Sequence, residues 1–129
     1  MKESVSAVFT TNDQIFFIKR QNYLNVFPGY YATPGGKVDA TDSEEALPHA
    51  IWPTHMKPQL LHALIREVRE ELNYDLVAAI ENGEVEAIED IGLAITPEFN
   101  PYRFKNYYIK IHLKACLLYT SDAADEGLG

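Results

Sequence analysis

Cysteine is almost missing from this 129-residue chain. The single one, Cys116, excludes an internal disulfide and a cysteine-rich zinc site. Long apolar runs are missing too, and none approaches the roughly 20 residues needed to span a bilayer. The opening "MKESVSAVFTTND" has no long apolar core of the signal-peptide kind, so a cytoplasmic protein away from membranes is expected. Positive charge is scarce: 11 Lys and Arg against 19 Asp and Glu give a net charge of −8, which argues against nucleic acid as the main partner. An acidic protein handling a polyanion needs cations in between, a first hint of a divalent metal. No repeat or low-complexity segment is visible, and 47% hydrophobic residues suffice for one globular domain.

Turn residues punctuate what is there. Val5–Phe9 and Ile15–Ile18 flank Asn12-Asp13 and predict a β-hairpin. "NYLNVFPGYYATPGGKVDATD" is rich in turn formers, with a short strand at Tyr30–Ala32 and a glycine loop at Pro34-Gly35-Gly36. "SEEALPHAIW" predicts one or two helical turns with Asp42 or Ser43 as N-cap, broken by Pro48 and Pro53. A longer helix is expected from Pro58 to about Leu72, closed by Asn73 in the left-handed conformation. "GEVEAIEDIGLAIT", with a break at Gly92, and "FKNYYIKIHLKA" read as strands around the loop "PEFNPYR". Strands with a long helix between them predict a mixed α/β domain.

The helix carries the main question. Glu67, Glu70 and Glu71 fall within about 100° of one another on the helix, beside a separate apolar stripe of Leu61, Leu64, Val68 and Leu72. Like charges at that spacing repel by a few tenths of a kcal/mol per pair. A hard divalent cation removes the repulsion, and oxygen donors suit Mg²⁺ or Mn²⁺. An exposed helix neutralised by Arg66 and Arg69 explains the same residues. The glycine loop, together with a separate cation such as Arg20, fits a diphosphate–metal site, and by itself the loop fits a tight turn equally well.

Together "GGKVDATD" and "REVREELNY" resemble the signature of the Nudix hydrolases: Gly, five residues, Glu, seven residues, then Arg-Glu-apolar-x-Glu-Glu-x-Gly-apolar. The resemblance makes Gly36 the motif glycine, with its carbonyl available to a metal. Glu67, Glu70 and Glu71 become metal ligands, and Arg66 the residue that orients them. The pattern is split. Asp42 has the spacing of the early glutamate from Gly36, but counting back from Arg66 reaches Pro58, 16 positions later. An insertion at about residues 43–58 is therefore expected within the box. Asn73 and Tyr74 replace the final glycine and apolar residue. "VFPGYYATPGGKVDATD" and "ITPEFNPYRFKNYYI" look like the branch related to coenzyme A diphosphatases and to Nudix domains beside metallo-β-lactamase-like domains.

The implied fold is an α/β/α sandwich with a mixed sheet. The implied activity is Mg²⁺- or Mn²⁺-dependent cleavage of a nucleoside diphosphate linked to another group, with a coenzyme A-like substrate favoured. Glu71 and Glu98 are the candidate bases, and Arg20 and Arg103 the candidate phosphate ligands. Two alternatives stay open: a nucleotide-binding module that does not cleave, and an inactive fragment. A homodimer is also left open. His49, His55 and His62 have no ligand spacing, and Trp52, Tyr30 and Tyr31 are assigned to packing in preference to base stacking. The ending "CLLYTSDAADE" resembles a translated sequencing adapter. Residues 116–129 are then foreign, the domain 1–115 is truncated, and removing Asp122, Asp125 and Glu126 changes the net charge from −8 to −5.

Overall fold

Alternation in "SVSAVF" builds the central strand. In β1 (Lys2–Thr11), Val5, Ala7 and Phe9 are wholly buried, whereas Ser4, Ser6 and Val8 on the other face are half-buried. The computed structural model describes residues 1–12, 14–19, 31–101 and 103–114. The remaining elements are β2 (Gln14–Phe16), β3 (Ile18–Lys19), β4 (Tyr31–Ala32), β5 (Gly35–Lys37), α1 (Pro58–Leu72), α2 (Leu76–Glu81), β6 (Val85–Ile95) and β7 (Phe104–Leu113).

The main sheet runs β2-β1-β7-β6, with β5 also paired to β1. β1 and β7 are parallel, with Val5 opposite Tyr107 and Phe9 opposite Ile111, and the other pairs are antiparallel. β3 and β4 form a separate two-stranded ribbon. The hairpin expected around Asn12-Asp13 is present, with Phe9 opposite Phe16. The break expected at Gly92 is a register shift between Asp90 and Gly92, where Gly92 has φ of 129°.

α1 has the expected bounds. Its buried residues Leu60, Leu61, Ala63, Leu64, Val68 and Leu72 face β1 and β5. Leu64 is fully buried in this seam, so Leu64→Ala is expected to cost about 3 kcal/mol in chemical denaturation. A loss below about 1 kcal/mol would contradict this packing. Asn73 closes the helix in the left-handed conformation (φ 52°, ψ 37°), and its N–H donates to the Arg69 carbonyl. Tyr74, at the motif's apolar position, packs edge-on against Phe9 and donates its hydroxyl to Glu84.

Three expectations need correction. Residues 43–48 form no helix, and turns occupy the region of residues 49–55. Pro48 and Pro53 interrupt the segment, Asp42 is drawn into a side-chain ion pair, and Ser43 accepts the Glu45 N–H in a local turn. Burial of Trp52 and Met56 holds the insertion in place. Gly35 and Gly36 lie in a strand, because close approach to β1 gives their backbone ladder partners. Finally, α2 was not expected. Asp75 caps it by accepting the Ala78 N–H, Leu76, Ala79 and Ile80 are buried, and Gly83 follows with φ of 75°.

The fold is mixed α/β, and both helices contribute to a single core. The second helical layer of the expected sandwich is not among the described residues. No helix among them is long and apolar enough to cross a membrane.

Candidate metal and diphosphate site

β5 sets the geometry of the glutamate face. A side chain on Gly35 would collide with the Val5 carbonyl of β1. A Cβ on Gly36 would lie 2.5 to 2.8 Å from the Glu67 carboxyl atoms. Glycine at 36 therefore leaves the space that the Glu67 carboxylate fills. The Gly35 N–H also donates to Glu71 Oε1 at 3.3 Å. Two of the three motif glutamates thus converge on the glycine strand from one side of α1.

Arg66 organises the next layer. Its Nε and Nη2 reach the two oxygens of Asp42 at 2.9 and 3.1 Å, a bidentate pair. Nη1 donates to Glu67 Oε1 at 2.7 Å and lies 3.6 Å from Glu70 Oε2, while Nη2 also donates to the Lys37 carbonyl at 3.0 Å. The Asp42 side chain is only 5% exposed. Its hydrogen bonds from Arg66 outweigh burial and hold its carboxyl below the usual aspartate range. The same bonds, with those to Glu67, push the guanidinium's proton affinity further up.

In the sequence Asp42 showed as a spacing match to Gly36 and as an N-cap candidate. The structure makes it the partner of Arg66 across the insertion. Gln59 braces the same loop by donating to the carbonyls of Asp39 and Asp42. A depressed aspartate pKa stabilises the fold above about pH 4, and that stability is lost as pH falls through the folded-state value. Asp42→Asn is expected to lower stability by about 2 kcal/mol at pH 7 and to close that gap towards pH 2. Urea melts at several pH values check this. An equal gap at pH 7 and pH 2 would contradict the ion-pair origin.

The other candidates sit apart. Glu70 is 59% exposed. Glu98 is exposed in the β6–β7 connection and makes no hydrogen bond or ion pair among the described residues. Arg103 donates through Nε and Nη2 to the Thr96 carbonyl, each at 3.4 Å, closing the base of that connection. Arg20 and Tyr30 lie outside the described residues, as does the tail 116–129, and for Tyr31 the backbone alone is described. His55 pairs with Asp90, His62 bonds the Glu45 carbonyl, and His49 accepts the Ile51 N–H. Trp52 is buried.

Among the described residues, no three His, Cys, Asp or Glu side chains close into a ready metal cage. The donor set still suits a hard cation. One guanidinium faces the three carboxylates of Asp42, Glu67 and Glu70, and the Gly36 cradle holds Glu67 in place. The bonds Ala7 N–H to Pro34 and Val38 N–H to Glu3 make Val5/Gly36 the hydrogen-bonded pair between them. One lone pair of the Gly36 carbonyl is thereby committed to Val5, and the second remains.

No family model and no curated protein matches the chain. Solved structures do. A NUDIX hydrolase from Alicyclobacillus acidocaldarius superposes with a TM-score of 0.65 at 17% identity, covering 88% of this chain and 70% of that one. A MutT protein from Methanosarcina mazei Go1 gives 0.60 at 17% identity, covering 99% and 72%. The NUDIX domain of Shewanella oneidensis NrtR, complexed with ADP ribose, gives 0.56 at 18% identity, covering 88% and 60%. The chain thus spans about two thirds of the length of these structures. The fold is that of the Nudix hydrolases.

Proposed function

We propose that the chain is a Nudix hydrolase that cleaves the diphosphate bond of a nucleoside diphosphate linked to a second group. The observation that carries this is the Gly36 cradle filled by Glu67, which Arg66 and Asp42 hold. Glu67, Glu70, Glu71 and the Gly36 carbonyl would hold Mg²⁺ or Mn²⁺. Bound there, the ion neutralises the diphosphate and lowers the pKa of a water. The chain's own residues position the reaction. Arg66 fixes Glu67, the β5 backbone orients Glu71, and Glu71 or Glu98 takes the proton from the attacking water. Arg103, engaged with Thr96 through Nε and Nη2, supports the connection that carries Glu98, and Arg103 and Arg20 are the phosphate ligands of this reading.

A coenzyme A-like substrate is favoured by the split box and the "TPEFNPYRF" segment. The ADP ribose in the NrtR domain supports a nucleotide diphosphate more broadly. Nucleotide binding without cleavage is the second reading, favoured by the lack of a ready cage among the described residues.

The test is nucleoside monophosphate release from coenzyme A, ADP ribose and dinucleotide polyphosphates, with Mg²⁺, Mn²⁺ or chelator. Turnover of at least one substrate that chelator abolishes is expected. Saturable binding with no turnover on any of them favours the binding module.

A further inference from the structure

β6 is a free edge of the main sheet, since β7 is its one strand partner among the described residues. Its first half carries Glu86, Glu89 and Asp90, the kind of charge that keeps sheet edges apart. Its second half carries none, and Ile91, Leu93 and Ile95 there are each about half exposed. The hydrogen-bond phase shows what that half offers. Thr96 N–H donates to the Phe104 carbonyl, so Thr96/Phe104 is a hydrogen-bonded pair, and Ile95/Lys105 and Leu93/Tyr107 fall at non-hydrogen-bonded positions. The N–H and C=O groups of Leu93 and Ile95 therefore point away from β7, into the open edge. This window is closed on both sides. The Gly92 N–H is taken by Asp90 at the bulge. The Thr96 carbonyl is taken by Arg103, and Pro97 beyond it has no N–H. What remains is symmetric about Ala94, in backbone groups and in side chains alike.

We infer that this edge pairs antiparallel with the same edge of a second copy of the chain, about a two-fold axis at Ala94. Leu93 of each copy then exchanges both backbone bonds with Ile95 of the other, and every outward group of the window is satisfied. Because the pattern is its own complement, a second copy fills it completely. Leu93 and Ile95 of both copies meet on the α1 side of the sheet, since Leu93 lies opposite Tyr107 and Tyr107 opposite Val5. Ala94 meets Ala94 of the second copy in a non-hydrogen-bonded pair, where Cα atoms approach to about 4.5 Å and a small side chain fits. Like charges approach only at the flanks, Asp90 towards Glu98 of the second copy, and Asp90 is already paired with His55. So short a window falls below the roughly 800 Å² per partner of a stable dimer, so the association is weak, with Kd at about 10–100 µM.

Sedimentation velocity of the full chain tests this. The wild type is expected to shift from monomer towards dimer between about 10 and 500 µM. Leu93→Lys/Ile95→Lys should stay monomeric with an unchanged melting temperature. Ile15→Lys, at an exposed apolar residue of the opposite edge strand β2, should dimerise like wild type. Cysteines in a Cys116→Ser background read the register. Under oxidised glutathione, Ala94→Cys should form a disulfide-linked dimer, because the Cα separation at the two-fold suits an S–S bond. Ile91→Cys should not, its two copies lying about 20 Å apart in this register. Should the lysine pair lower the melting temperature, the cysteine result decides. A wild type that stays monomeric at the top of the concentration range overturns the inference. So does a dimer that Ile15→Lys abolishes or that the folded lysine pair retains, and so does equal cross-linking at positions 91 and 94.

Discussion

Glu70→Gln is expected to reduce Mg²⁺-dependent hydrolysis by at least about a hundredfold while leaving the fold unchanged. Glu70 is more than half exposed, and its one ionic neighbour among the described residues is Arg66 at 3.6 Å. A neutral amide of the same shape therefore costs little stability, within about 0.5 kcal/mol. What it removes is a hard anionic donor from the place where one guanidinium already faces three carboxylates. Steady-state rates across a Mg²⁺ titration should show a lower kcat and a higher metal requirement. Unchanged hydrolysis would remove Glu70 from the metal set.

The adjacent glycines predict a separation of activity from stability. In Gly36→Ala the new methyl meets the far end of the flexible Glu67 side chain. Glu67 can swing away, so the fold survives at a cost of about 1 kcal/mol, but the carboxylate leaves Arg66 and its cradle. Activity should fall by about a hundredfold, a displaced ligand being nearly as damaging as a deleted one. In Gly35→Ala the methyl meets the Val5 carbonyl, part of the central strand, which cannot move aside. That variant should lose about 3 kcal/mol or fail to fold. Thermal melts and rates on both proteins check the pair. A stable Gly35→Ala, or a fully active Gly36→Ala, would refute the packing of β5.

Much of this was legible in sequence because single residues carried it. The apolar stripe of α1, Pro58 at its start and Asn73 at its end fixed the helix without tertiary information. β1 and β7 showed by alternation, and β6 by its length between turn residues. β5 was hidden: three residues with two glycines have no strand propensity, and only the approach of β1 makes them a strand. α2 was hidden by its length of six residues, although Asp75 and Gly83 marked both ends. The role of Asp42 was hidden by distance. Twenty-four positions separate it from Arg66, and its spacing from Gly36 could suggest the pairing but not show that the insertion folds back to permit it.

The central claim is that the α1 carboxylates hold a divalent metal, and Mn²⁺ binding tests it without reference to any substrate. The paramagnetic resonance signal of free Mn²⁺ should fall saturably with added wild-type protein, to at least one ion per chain. Glu67→Gln, Glu70→Gln and Glu71→Gln should each weaken that binding about tenfold or more. Wild-type protein that leaves the free Mn²⁺ signal unchanged, or variants that bind as well as wild type, would contradict the account.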